Sequence, residues 1–142
     1  MIIIARETLD ITSDVAELAS IRSFLRAYCR KLSDDALDED DMAQLELAVN
    51  EAAANVMKHA YQGQTDQPVR VEITSETDAI TVCLAHKGKT FERKEVPPPS
   101  FDGTRDNGFG VYLIEQCVDT VRYVENELGE QCIYMIKRFS SN

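Results

Sequence analysis

Glu51 and Asn55 stand four residues apart in a stretch, Leu45 to Tyr61, whose apolar residues repeat at helical spacing. A carboxylate and a carboxamide therefore fall one above the other on a single helix line. A carboxamide oxygen is a hard ligand suited to magnesium, and a carboxylate one turn away can orient a hydroxyl or take its proton. Ala48 and His59 share that line, about a quarter turn from the stripe Leu45, Val49, Ala52 and Val56, so the polar groups border the core face. His59 reads as a partly buried hydrogen-bonding residue rather than a ligand. The plain alternative for the whole line is a helix surface carrying Glu and Asn, as most helix surfaces do.

Two further segments carry chemistry. Asn107-Gly108-Phe109-Gly110 opens a predicted helix. A helix start exposes unpaired backbone N–H groups and partial positive charge, and glycines without Cβ let a phosphate approach. No Gly-Lys-Ser/Thr follows, which excludes a Walker loop. The other segment, Ala85-His86-Lys87-Gly88-Lys89-Thr90-Phe91, ends a predicted strand. Gly88 there lets the chain turn and lie against a flat ring, or is simply a strand exit. From His86 to Asn107 the periodicity fails and Pro97, Pro98 and Pro99 stand together. A structureless stretch of this length inside a compact domain reads as a functional lid.

The elements that must position these residues follow from pattern. Ile2 to Ile11 is rich in β-branched residues and reads as a strand at a sheet edge. Ser13 or Asp14 caps a helix, with Glu17 placed as in a capping box, and Leu18, Ile21, Leu25, Tyr28 and Leu32 form its apolar face to about Lys31. The second helix runs from Met42 to about Tyr61 and is ended by Gly63. Val69, Val71 and Ile73 alternate with Arg70, Glu72 and Thr74, and Ile80, Val82 and Leu84 alternate likewise beyond the link Glu76-Thr77-Asp78, which predicts a hairpin. A third helix covers Gly108 to Asp119, and two strands, about Thr120 to Glu125 and Gln131 to Arg138, turn through Gly129. Short links between neighbouring strands make the sheet mainly antiparallel, and the helices gather on one side. The expected architecture is α+β, a two-layer sandwich of a mainly antiparallel mixed sheet with helices on one face, in a single domain spanning residues 1–142.

Composition removes several classes of function. The formal net charge is −10, and six of the eight residues from Asp34 to Asp41 are acidic. Nucleic acid and anionic membrane surfaces, which need clustered Lys and Arg, are therefore not expected partners. The acidic run also supplies favourable charge at the positive end of the second helix. Cys29, Cys83, Cys117 and Cys132 form no Cys-x-x-Cys clip, and the two His residues complete no familiar zinc pattern. They read as buried thiols in a reducing cytosol. Met1-Ile-Ile-Ile-Ala5 is too short for a signal sequence and is followed by Arg6 and Glu7, so the expectation is a soluble cytoplasmic protein.

Taken in order, Leu45-Glu-Leu-Ala-Val-Asn-Glu51-Ala-Ala-Ala-Asn55-Val-Met-Lys-His59-Ala-Tyr61, His86-Lys-Gly88-Lys-Thr-Phe91 and Gly108-Phe-Gly110-Val-Tyr-Leu-Ile114 resemble the Bergerat-type ATPase fold shared by gyrase, histidine kinases and MutL. Within that fold the short chain is most similar to bacterial anti-sigma factor serine kinases. The resemblance implies ATP and Mg as ligands and transfer of phosphate to a serine of a small anti-anti-sigma partner. It also implies sequestration of a sigma factor and a homodimer. Glu51 matches the acidic residue taken as general base, Asn55 the magnesium-coordinating asparagine, and Gly108 and Gly110 the glycines that cradle phosphates. Lid residues such as Arg105 and Asn107 are expected to reach the β or γ phosphate, Arg105 on its charge and position rather than on the motif.

Gly88 and Phe91 fit the first glycine box, but His86 stands where the resemblance expects an aspartate that accepts a hydrogen bond from the adenine amine. A neutral imidazole offers one acceptor nitrogen, and a protonated one offers none. Losing such a bond costs on the order of 1.5–3 kcal/mol. A second expectation therefore stands beside the kinase: a partner-switching binding module of the same fold with weak or lost nucleotide binding. In either case a protein of this charge suits a basic partner surface.

Overall fold

Alternation of apolar and polar residues sends every second side chain of a strand to the same face. The computed structural model describes residues 3–32, 37–88 and 109–139. In it the two alternating stretches form β2 (Pro68–Glu76) and β3 (Ala79–His86), an antiparallel hairpin that sets Val71 opposite Leu84 and Ile73 opposite Val82. β1 (Ile3–Thr12) pairs with β2 and forms one edge, as its composition led us to expect. β5 (Gln131–Arg138) lies against the other side of β3, and β4 (Thr120–Glu125) forms the far edge, for a strand order β1-β2-β3-β5-β4. All four ladders are antiparallel, so the mixed sheet narrows to an antiparallel one among the described residues.

The helices differ from expectation mainly at their ends. The Asp14 carboxylate accepts from the Ala16 amide at 2.9 Å, two residues on, rather than closing a capping box with Glu17. That contact favours a tight 3-10 turn over Val15–Glu17, and the regular helix α1 begins only at Leu18 and runs to Arg30. α2 (Glu39–Asn55) starts three residues before the predicted Met42, because Asp38 caps it by accepting from the Asp41 amide at 2.7 Å. Glu39, Asp40 and Asp41 in its first turn meet the positive helix end. α2 then widens into a π turn over Val56–Ala60 and stops at Gln62 and Gly63, both with positive φ. α3 spans Phe109–Cys117.

One layer of helices covers one face of the sheet. Ile21, Leu25 and Tyr28 of α1, Leu45, Val49 and Ala52 of α2, and Ile114 and Cys117 of α3 bury against Val71, Ile73, Val82, Leu84, Ile133 and Met135. Each fully buried Leu, Ile or Val side chain contributes about 1.5–3 kcal/mol. Polar ties set the layer in register. The Tyr28 hydroxyl bonds to the Ala5 carbonyl at 2.9 Å and to Ser75 Oγ at 2.8 Å, fixing α1 over β1 and β2. Arg26 clamps α1 to α2 through Glu46 at 2.5 Å and Glu39 at 2.8 Å. The buried Lys137 donates to Gln44 Oε1 at 2.6 Å and to the Cys117 carbonyl at 2.9 Å, so a β5 lysine caps the C-terminal end of α3 and holds it to α2.

Candidate functional site

The Glu51–Asn55 line exists as predicted, in the last two turns of α2. Ala48 is buried beneath it, and Glu51 and Asn55 are half-buried at its border. His59 is the exception: it is exposed, not partly buried. The π turn is the cause. With Tyr61 N–H bonding to the Val56 carbonyl at 2.9 Å, five residues back, the chain after Asn55 rotates differently from an α-helix. Val56, Met57 and Ala60 turn inward, while Lys58 and His59 turn outward. Asn55 is thus the last half-buried polar group of the line.

The same π turn receives the end of β3. A Cβ placed on Gly88 would stand 2.7 Å from the Ala60 carbonyl oxygen and 2.9 Å from Ala60 Cβ, so only glycine lets the strand exit rest on the helix. Tyr61 locks this junction. Its hydroxyl donates to the Pro68 carbonyl at 2.6 Å and accepts from the Lys87 amide at 2.7 Å, joining the start of β2 and the exit of β3 to the end of the helix.

His86, 2% exposed, closes β3 beside that lock, its ring edge-on to Tyr61 with centroids 5.8 Å apart. The Gly88 amide donates to His86 Nδ1 at 3.1 Å. An imidazole nitrogen that accepts cannot carry the proton, so the neutral ring holds its hydrogen on Nε2. Burial pushes the imidazole down to about 4, which keeps it neutral near pH 7. Directly across the β3–β5 ladder from His86 is Gln131, whose amide nitrogen donates to Glu125 at 2.8 Å.

The remaining site candidates sit around α3. Gly110 is the second residue of that helix. Arg105, Asn107 and Gly108, and the whole of 89–108, lie outside the described residues, as do residues 33–36 of the acidic run. Among the described residues no three His, Cys, Asp or Glu side chains converge on a possible metal position. The Asn55 carboxamide, half-buried one turn from Glu51, is the donor type that a magnesium ion held mainly by nucleotide phosphates would take. Asn55 therefore fits the metal and phosphate end of the expected ligand. At the base end, His86 offers an N–H where the adenine amine would also bring an N–H, and this end does not fit ATP as the aspartate would.

Sequence reasoning missed Tyr61 and Gln131. Tyr61 was visible only as part of the His59-Ala60-Tyr61 run, and Gln131 carried no signal because its relation to His86 is a matter of strand register. The thiols also needed correction. Cys117 and Cys132 are buried, but Cys29 and Cys83 are half-buried, and desolvation pushes them up to about 11 and about 12, far from thiolate chemistry.

Comparison with known proteins agrees with this layout. The chain is 26% identical over 98 residues to the serine-protein kinase RsbW of Oceanobacillus iheyensis, covering 63% of this chain and 61% of that protein. To the serine-protein kinase RsbW of Bacillus subtilis it is 30% identical over 98 residues, with the same coverage of 63% and 61%. The match therefore spans about three-fifths of each relative's length. Among solved structures, the RsbU and RsbW domains of a Mycobacterium tuberculosis protein superpose with a TM-score of 0.68 at 14% identity, over 97% of this chain and 33% of that one. The mycobacterial sensor histidine kinase MprB gives a TM-score of 0.55 at 13% identity, over 97% of this chain and 100% of that one. Both show the fold. Residues 11–137 match the histidine kinase-like ATPase domain, and the chain belongs to that family.

Proposed function

We propose that the chain is a protein serine kinase that binds a magnesium nucleoside triphosphate, transfers phosphate to a small anti-anti-sigma partner and sequesters a sigma factor. The observation that carries this reading is the pairing of Glu51 and Asn55, one turn apart and half-buried at the edge of the core, beside the Gly88–Ala60 junction. Asn55 would hold magnesium on the phosphates. Glu51 would accept the proton of the attacking serine. Backbone amides at Gly108 and Gly110 would face developing phosphate charge, with Arg105 and Asn107 reaching the same groups from the lid. His86 and Gly88 would border the base. The relatives named as serine-protein kinases support the reaction class.

The partners follow from the same reading. A net charge of −10 suits a basic protein surface rather than nucleic acid. Among the described residues no helix is long and apolar enough to cross a membrane. We place the protein in the cytoplasm as a homodimer.

The test is incorporation of labelled phosphate from a nucleoside triphosphate with Mg into a candidate anti-anti-sigma protein, with a serine-to-alanine partner as control. Label on the serine supports the kinase; none at any nucleotide overturns it. The second reading, a partner-switching module that has lost strong ATP binding, is favoured by the missing carboxylate at His86. Calorimetric titration with ATP and Mg separates the two for adenine: no heat at millimolar ATP removes ATP as the donor.

A further inference from the structure

The end of the sheet nearest Gly88 presents a specific pair of hydrogen-bonding groups. The Gly88 amide occupies Nδ1 of His86, so the ring turns an N–H, at Nε2, to whatever it meets next. Gln131 is its direct partner across the ladder. Directly opposed residues of an antiparallel pair have Cβ atoms about 4.5–5.5 Å apart and share one face. The Gln131 amide nitrogen donates one of its two hydrogens to Glu125 at 2.8 Å, which turns that end of the carboxamide toward Glu125 and sets the carbonyl oxygen, its acceptor, at the opposite end. The pair is thus a donor beside an acceptor. Tyr61 and the Gly88–Ala60 contact hold His86 in place from the other side.

Purines divide on this pattern. Adenine carries a donor at position 6, its amine, and an acceptor at N1. Guanine and hypoxanthine carry the reverse, an acceptor at O6 and a donor at N1–H. An adenine amine set against a ring N–H leaves two donors facing each other, and a site whose polar groups are left unpaired rejects the ligand.

We propose that the base edge of this site is inverted and takes a 6-oxopurine nucleotide in preference to an adenine nucleotide, with His86 Nε2–H donating to O6 and the Gln131 carbonyl accepting from N1–H. The proposal rests on the reading of this chain as a nucleoside triphosphate site and names the class of base that the site reads. Desolvation strengthens it, because a ring kept neutral near pH 7 holds a single hydrogen and so a defined polarity.

The experiment is calorimetric titration of the whole chain with GTP, ITP and ATP, each with Mg. GTP and ITP are expected to bind at least about tenfold more tightly than ATP, since one hydrogen bond gained and one donor clash avoided amount to that ratio or more. ITP belongs in the set because it lacks the 2-amino group but keeps O6 and N1–H. His86→Asp is expected to reverse the preference toward ATP. Gln131→Leu is expected to weaken GTP and ITP relative to ATP, since it removes an acceptor that only N1–H can use, with circular dichroism confirming that both variants fold. ATP binding as tight as GTP, or ITP no tighter than ATP, overturns the inverted edge while leaving a nucleotide site. No heat from any of the three at millimolar concentration overturns both. The wild-type comparison decides the matter even if a variant does not fold.

Discussion

Gly88 rests on Ala60 so closely that a Cβ on residue 88 would fall 2.7 Å from the Ala60 carbonyl oxygen and 2.8 Å from its carbonyl carbon. The exit of β3 and the π turn at the end of α2 are in backbone contact, and both atoms in the way belong to main chain. Neither can swing aside as a side chain would. Gly88→Ala is therefore expected to cost about 1–3 kcal/mol, as overpacked sites do. Urea unfolding should show a lower midpoint with an unchanged slope. An unchanged midpoint would mean that the strand exit is free to move away from the helix.

Tyr61 holds the same junction by its hydroxyl. Tyr61→Phe keeps the ring against His86 but leaves the Pro68 carbonyl and the Lys87 amide without their partner. The expected loss is about 1–3 kcal/mol, the cost of unpaired polar groups where little water reaches. Hydrogen exchange offers a local check: the Lys87 amide should exchange faster in the variant, whereas amides of β1 should not. Equal protection at Lys87 would count against the clamp.

Stability should fall in acid partly through His86. Its pKa is pushed down from 6.5 to about 4 by burial in the folded state. The unfolded chain therefore takes up a proton as pH drops below about 6.5, and the folded chain does not until about 4. The stability is full above about 6.5 and is lost as pH falls through that window, by up to about 3 kcal/mol. Comparing urea midpoints at pH 7.5 and 4.5 for wild type and His86→Gln tests this, and the variant should lose less than wild type between those two conditions. Identical losses in the two proteins would assign the acid sensitivity to other groups.

Glu51 is expected to act on the reaction and not on binding. For Glu51→Ala, phosphate transfer should fall by roughly 10²–10⁴-fold, the usual contribution of a positioned general base. Nucleotide affinity should stay within a few-fold, because in the proposed role the carboxylate would act on the acceptor hydroxyl and not on the base. Transfer at the wild-type rate would remove Glu51 from the base role.

Much of this molecule is local pattern. The alternation in Val69-Val71-Ile73 and Ile80-Val82-Leu84 depends only on the two-residue repeat of an extended chain, and it led directly to the β2–β3 hairpin. The Glu51–Asn55 line depends only on the helical repeat, and it was recognisable before any packing was known. Cap residues such as Asp38 act within three positions of themselves, so a helix start is readable to within a few residues.

Tertiary structure decided the rest. The π turn that sends His59 outward answers to packing at the end of α2, not to any repeat in Val56–Ala60. Helical spacing on its own placed His59 in the wrong environment. Gly88 meets Ala60, and His86 meets Gln131, across chain separations that no periodicity spans. In particular, the polarity of the His86 ring came from one backbone amide two residues away, held there by a turn whose shape depends on the helix beneath it. Residue types and spacing determined that a phosphate and metal site could exist in this chain. Strand register and the close approach of two backbones determined which groups stand together at the end of β3, because hydrogen-bond polarity is set by the partner that each side chain already has.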